Sequence, residues 1–467
     1  MKMWSGRFRQ PLDPAFESWQ RSFEFDKRLL PYELAASAAH ARALKKAGVL
    51  SADELITILQ GLEQIGKKAA ASAQFLEDAE AEDVHHFVER RLVELIGDIG
   101  YKLHSGRSRN EQIATDLRLY VRGATDEIVL AISRLITAFL ERAGQAGEAA
   151  MPAYTHMQRA EPVLAAHWLL AYAEMLFRDA DRLADCGKRA NLCALGSGAV
   201  AGATLPLDRD GMARELGFAG PTANSVDAAS DRDFVLEFVN ALSLLSVHLS
   251  RWAEEMLIFA SQEYGFIRLP EAYSTGSSAM PQKMNGDLLE LVRGKAGRVI
   301  GDATALLVTA KGLPLAYNKD LQETQEPLFH AAETVLSLVR LATGWMESAE
   351  FNLDRMHTAA GTGYMNAFAA ATYLVKKGVP FRIAHEQVGK AVRIALDRQV
   401  ELDALPLEEL RAIDANFGPD FYESITLGNV LAIHDVAGGT APARVRQALS
   451  AARKRSAGLS QEAHAHA

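Results

Sequence analysis

The chain has 467 residues, a net charge of −9 and 49% hydrophobic residues, ample for a large core. Mild acidity gives no reason to expect nucleic acid as a partner, and the start, Met1-Lys2-Met3-Trp4-Ser5-Gly6-Arg7, has no apolar run of signal-peptide length. No uncharged stretch is long enough for a bilayer, and the two cysteines, Cys186 and Cys193, form no disulfide framework, so a soluble cytoplasmic protein is expected.

Leu29-Leu30-Pro31 leads into a predicted helix over about 32–46, closed by Gly48. Ser51 and Glu54 have capping-box spacing for a helix reaching towards Ala71. A third helix is expected from about 78 to 96, ended by Gly97 and Gly100. No alternating strand pattern appears in this region. After a polar break over 103–109 the pattern changes to long helices. Ile113, Leu117, Tyr120, Val121, Ile128, Ile132, Leu135, Ile136 and Phe139 recur at three- and four-residue spacings, predicting one helix over 110–144. Pro162 reads as the opening of a second helix, to about 191. Three more are expected over 231–262, 287–311 and 322–350.

At about 1.5 Å per residue, segments of thirty residues are roughly 45 Å long, as in a helix bundle. The 231–262 helix carries Leu242, Leu244, Leu245, Val247, Leu249 and Trp252 on more than one face. Such a helix needs cover all round, which implies burial against other subunits. Shorter helices follow Gly361, with breaks at Gly378-Val379-Pro380 and Gly418-Pro419. The fold class expected is therefore all-α, in three helical domains. Residues 1–112 make the N-terminal domain and 113–361 the long-helix bundle. Residues 362–467 make a small helical domain with a disordered tail after Arg455.

Polar breaks interrupt the helices at 104–110, 154–159 and 274–287, with a fourth polar patch at 317–322. Together they supply Arg107, Arg109, Asn110, Thr155, His156, Ser277, Lys283, Asn285, Tyr317 and Gln322. Cations and hydrogen-bond donors in that proportion suit a substrate with several carboxylates. His156 and Ser277 are the two candidate bases. His85-His86 after Glu82-Asp83 invites a metal reading, but no third ligand stands at metal spacing, so a helix-surface or supporting role is expected. Gly196, Gly198 and Gly202 have neither a preceding strand nor dinucleotide-fingerprint spacing, so they read as a tight connection between helices.

Gly276-Ser277-Ser278-Ala279-Met280-Pro281-Gln282-Lys283-Met284-Asn285 resembles the signature of the fumarase/aspartase superfamily. His104-Ser105-Gly106-Arg107-Ser108-Arg109-Asn110-Glu111-Gln112 and Tyr154-Thr155-His156-Met157-Gln158-Arg159-Ala160-Glu161-Pro162 narrow the resemblance to its argininosuccinate lyase family. Trp4-Ser5-Gly6-Arg7-Phe8, Ser225 to Asp233 and Tyr317 to Gln322 are similar to further blocks of that family, in order along nearly the whole chain.

The resemblance implies a homotetramer whose central helices form one bundle, with each active site assembled from several subunits. It also implies reversible elimination of fumarate from argininosuccinate, leaving arginine, through a carbanion held as a carboxylate dianion. A cation and oriented donors aimed at that carboxylate are the largest available help. The family pattern makes Ser277 the base, acting as an alkoxide, and Lys283 with Asn285 the stabilisers of the dianion. It makes His156 the proton donor to the leaving nitrogen or an organiser of the site, with Glu290 as its paired carboxylate. Ser22, Arg109, Asn110, Thr155, Tyr317 and Gln322 match substrate-binding positions, and neither cofactor nor metal is called for.

Four positions depart from the pattern. Met284 stands where a second lysine is common, Gly286 where proline is common, and Glu111 replaces an aspartate. Gln325 replaces a lysine expected to touch substrate, which removes a charge-assisted bond worth about 1.5–3 kcal/mol. That departure leaves open a related lyase acting on another N-succinyl amine. A catalytically silent structural homologue is the reading of a different class, against which the retention of Ser277, His156, Lys283, Asn285 and Glu290 argues.

Overall fold

The computed structural model describes residues 9–466, so the family block Trp4 to Phe8 lies outside the described residues. It is 69% helical and 5% strand, an all-α protein as expected. After short helices at the start come α1 (Leu30–Lys46), α2 (Ala52–Ala71), α3 (Val84–Ile96) and α4 (Arg109–Ala146). Strands β1 (Ala150–Thr155) and β2 (Gln158–Leu164) form a hairpin, followed by α5 (Ala165–Ala190) and α6 (Asp233–Ala260). Next come β3 (Ile267–Arg268), β4 (Thr275–Gly276), β5 (Met284–Asn285) and α7 (Asp287–Ala310). A 3₁₀ turn (Lys319–Thr324) then precedes α8 (Gln325–Ser348) and β6 (Glu350–Phe351). In the C-terminal part, α9 (Ala367–Lys376), α10 (Phe381–Arg398) and a closing α11 (Pro442–His466) are the longer helices.

Local chemistry sets most of these boundaries. Ser51 accepts the Glu54 amide while Glu54 reaches back to the Ser51 amide, the reciprocal cap that starts α2. The expected third helix begins six residues late. Asp78 turns its carboxylate onto the Glu80 and Ala81 amides and onto Arg90 and Arg91. Asp83, accepting the His86 amide at 2.7 Å, is the true cap of α3. Pro162 does not open a helix. It faces Pro152 across the β1–β2 pair, where a two-stranded ribbon tolerates residues that cannot donate. The helix starts at Ala165 instead. α11 runs as helix to His466, through the stretch where a disordered tail is expected.

Contacts divide the chain into two compact units, one of residues 1–127, 182–243 and 298–335, the other of 128–181, 244–297 and 336–467. In the first, the small residues Ala36, Ala39 and Ala43 of α1 let Leu195, Met212 and Phe218 close in as one buried cluster. Arg118 is buried there too, bonded to Asp231 at 2.6 Å and lying over the Phe234 ring. In the second unit, Trp252 and Trp345 meet edge to face at 5.3 Å, and Leu374, Val388, Leu402, Phe417 and Phe421 form a C-terminal core.

The helix expected to be apolar on several faces is α6. Leu242, Leu245, Leu249 and Trp252 are buried within the chain, whereas Leu244 and Val247 are exposed. Among the described residues α6 alone is long and apolar enough by composition to cross a membrane, and half of its apolar window is buried in the chain, as in a core helix.

Candidate active site

In the first unit a cavity of about 230 Å³ is lined by Ser22, Arg109, Asn110, Tyr317, Gln322 and Gln325, every substrate-binding residue expected in that unit. The N-terminal turn of α4 supplies Arg109 and Asn110. The 3₁₀ turn and the start of α8 supply Gln322 and Gln325. Glu111 fixes the α4 end: its carboxylate accepts the Ser108 amide at 3.0 Å and the Gly198 amide at 2.9 Å. The replacement of aspartate by glutamate at 111 therefore keeps a group that ties two loops together. It also gives the glycine-bearing connection its function. Gly198 has φ of +61°, and a Cβ there would stand 2.7 Å from the Gly202 carbonyl.

Acidic groups and two further cations complete the wall: Asp26, Glu82, Asp83, His85 and Lys319. Sequence reasoning missed these as site residues, although Ser22 with Asp26 at i,i+4 and Glu82-Asp83 beside His85 were the available signals. Ser22 donates to Asp26 at 2.6 Å, and the Val84 amide donates to the other oxygen at 3.0 Å. Burial and the neighbouring Asp83 still push the Asp26 carboxyl up to about 7. Burial pushes Asp83 up as well, but Arg109 at 2.9 Å and the nearby histidines outweigh it and hold Asp83 below the usual range. Arg109 also meets Glu82 at 3.3 Å. Gln322 donates to the Gln20 carbonyl at 3.1 Å, and burial raises Tyr317. The Gln325 Oε1 is buried without a partner.

His85 is not on a helix surface. It is 6% exposed, and its Nδ1 lies 2.9 Å from Glu33 of α1 and 3.8 Å from Asp116 of α4. The companion groups come from helices distant in sequence, which no local spacing reveals.

The second unit holds the remaining expected residues. Thr155 pairs with Gln158 at the tip of β1–β2, and the two residues between them, His156 and Met157, have φ of +53° and +59°. Positive φ at both central positions is what a type I′ hairpin turn requires; histidine is among the non-glycine residues enriched there, and methionine is not. Strain of this kind gathers at functional sites. The turn is anchored by Tyr154, packed on Phe259 and Tyr264, and by Arg159, bonded to Thr362 at 2.9 Å.

Ser277 and Lys283 lie on the loop between β4 and β5. Thr275 pairs with Asn285 and Gly276 with Met284, while Asp287, the first residue of α7, accepts both the amide and the hydroxyl of Thr275. The loop is thus pinched at its base and exposed from Ser278 to Met284, with Ser277 half-buried. Within it Ser277 Oγ accepts the Ala279 and Met280 amides at 3.3 and 3.1 Å. Gly286 is buried, and a Cβ on it would lie 2.7 Å from the Leu257 side chain, so the small residue fits this packing. Glu290 is exposed on α7, and among the described residues no hydrogen bond or ion pair joins it to His156.

A family of lyases matches residues 6–301, and a family described as argininosuccinate lyase C-terminal matches residues 364–432. Argininosuccinate lyase of Koribacter versatilis is 59% identical over 467 residues, all of both chains. That of Acidobacterium capsulatum is 57% identical over 464 residues, 98% of this chain and 96% of that one.

The chain belongs to the argininosuccinate lyase family. It is a lyase, with the fumarase-type fold that the family shares with more distant structures. An EDDS lyase variant with bound fumarate superposes with a TM-score of 0.84 at 24% identity, covering 98% of this chain and 93% of the other. The 3-carboxy-cis,cis-muconate lactonizing enzyme of Pseudomonas putida superposes with a TM-score of 0.73 at 21% identity, covering 95% and 99%. At those identities the likeness carries the fold alone.

Proposed function

We propose that this lyase eliminates fumarate from argininosuccinate and releases arginine, the arginine-forming step of arginine biosynthesis, in the cytoplasm. The observation that carries the reading is the cavity of the first unit. Residues as far apart as Ser22 and Gln325 line it; Ser22, Arg109, Asn110, Tyr317 and Gln322 match the substrate-binding pattern of the family to which the chain belongs, and Gln325 stands where that pattern has a lysine.

In this reading Ser277, as alkoxide, takes the weakly acidic proton beta to the leaving nitrogen. The electron pair moves onto the adjacent carboxylate, and the dianion so formed is met by Lys283, Asn285 and nearby amides. Expulsion of the guanidino nitrogen then forms the double bond of fumarate, with His156 donating the proton and Glu290 holding His156. Thr155 positions the substrate beside it. No step calls for a metal ion or a cofactor.

Ser22, Arg109, Asn110, Tyr317, Gln322 and Gln325 fall in one unit; Thr155, His156, Ser277, Lys283, Asn285 and Glu290 fall in the other. We assign their meeting to association of four copies of the chain through the long helices of residues 113–361. Leu244, Val247, Leu291, Leu307 and Val308 on those helices are exposed in the single chain and supply apolar surface for such contacts.

A second reading, elimination from another N-succinyl amine, has one observation in its favour: the unpartnered Oε1 of Gln325 where a lysine is expected. Incubating purified protein with argininosuccinate and following fumarate and arginine separates the two. Equal amounts of both products are expected, and no arginine at saturating substrate overturns the first reading.

A further inference from the structure

We propose that His85 binds a carboxylate at the arginine end of the substrate through its Nε2–H, and that Glu33 and Asp116 are positioning residues that keep the ring charged and aimed. The inference rests on the argininosuccinate reading above.

Three cations line the cavity of the first unit, and two are already engaged by its own wall. Arg109 bonds to Asp83 and approaches Glu82, and Lys319 lies 3.8 Å from Glu82. His85 differs. Its Nδ1 is held by Glu33, which does not line the cavity, while its Nε2 is buried with no protein partner. With one ring nitrogen fixed to a carboxylate, the direction of the other is fixed as well. His85 itself lines the cavity, and Nε2 is its one ring nitrogen that no protein group engages.

The charge on the ring follows from what surrounds it. Glu33 accepts from Ser37 at 2.7 Å and from Gln112 at 3.0 Å, and Arg107 stands 3.7 Å away. Burial opposes its ionisation, yet His85 and these donors outweigh burial and bring Glu33 down to about 2. Burial likewise opposes the imidazolium, and Glu33 outweighs it, with Asp83 and Asp26 adding to the pull. Neither of those two satisfies the ring: Asp83 is taken by Arg109 and the His86 amide, Asp26 by Ser22 and the Val84 amide. Asp116 is fully buried, and both its oxygens lack a conventional donor. Burial and the Glu33 charge raise it well above the usual range, which favours its neutral form beside Glu33.

These surroundings favour an anionic Glu33, a neutral Asp116 and a charged His85 whose Nε2 has no protein partner. A charged donor left bare in a protein interior is costly, and an incoming carboxylate removes that cost. Asp26, Glu82 and Asp83 make the same wall acidic, which favours an ammonium beside that carboxylate, as in an amino-acid head. The Ser277, Lys283 and Asn285 group is already assigned to the succinyl carboxylate.

The test compares His85→Gln and Glu33→Gln with the parent in the intact assembled enzyme, measuring kcat, KM, and inhibition constants for arginine and fumarate. For His85→Gln, the arginine inhibition constant and KM should rise about tenfold or more, as for loss of a charge-assisted bond, with a smaller change in kcat and the fumarate constant unmoved. Glu33→Gln should weaken arginine near neutral pH and recover it as the pH is lowered and the imidazolium re-forms. A purely structural role would move both product constants together and show no recovery. That outcome, or arginine constants unchanged in both variants, overturns the proposal. So does a stoichiometric divalent metal in the purified protein, since the ligand atoms of Glu33, His85 and Asp116 lie within 4.8 Å of one another. If His85→Gln does not fold, Glu33→Gln and its pH response decide. If the parent makes no arginine from argininosuccinate, the functional reading has failed, and calorimetric binding of arginine to parent and variants still decides the role of His85.

Discussion

Ser277 Oγ accepts the backbone amide of Met280 at 3.1 Å, and the Ala279 amide approaches the same oxygen at 3.3 Å. Amides donating to a hydroxyl oxygen favour its anionic form, because that form gains more from each donor. The loop thus carries part of what an alkoxide base needs before any substrate arrives. Replacing Ser277 by Ala should lower kcat by about 10²–10⁴, the usual worth of a general base. The side chain is only partly buried, so stability should stay within about 0.5 kcal/mol and the oligomeric state should not change. Near-parental turnover in steady-state assays would show that the base is elsewhere.

The hairpin turn offers a way to separate backbone demands from chemistry at His156. Asparagine adopts positive φ more readily than histidine and is a preferred type I′ residue. His156→Asn should therefore keep or raise stability, by up to about 1 kcal/mol, while turnover drops. If His156 serves only the turn, the same variant will keep its activity and melt later.

Much of this was legible in the sequence, for a physical reason. A long helix repeats one pattern over many turns, so α4, α6, α7 and α8 lie within about three residues of where periodicity places them. The β1–β2 hairpin left no such trace. Its turn is His156-Met157 rather than Asn-Gly, and its paired prolines imitate a helix start. Among site residues, those within polar breaks were readable because breaks in long helices stand out. Glu33 and Asp116 were not, since each is one polar residue inside a helix and acquires meaning only from a neighbour far away in sequence.

The acid range should expose Asp26. Its carboxyl is raised to about 7 in the fold from an ordinary value of 3.8, so between those two values the folded chain binds more protons than the unfolded one. The contribution of this group to stability is thus fully present below about pH 4 and is lost as the pH rises through 7. Replacing Asp26 by Asn should flatten that decline. Thermal melts of parent and variant across this interval, taken as differences, test it. An unchanged difference from pH 4 to pH 7 would mean that Asp26 ionises normally.

Gln325 decides how far the family's chemistry transfers. It lines the same cavity as Asp26, Glu82, Asp83 and His85, and its Oε1 has no partner. A lysine there would add a cation to a wall that already holds three carboxyl groups, lowering the cost of their ionisation and offering a charged donor to the substrate. Gln325→Lys should therefore leave kcat similar and hold or lower KM for argininosuccinate. The added charge-assisted bond is worth about 1.5–3 kcal/mol before the cost of burying the ammonium, and the two largely offset one another. A loss of a hundredfold or more in kcat/KM, about 2.7 kcal/mol, would point the other way. The neutral amide would then be fitted to a different leaving amine, and the protein would be a fumarate-releasing lyase whose second product is not arginine.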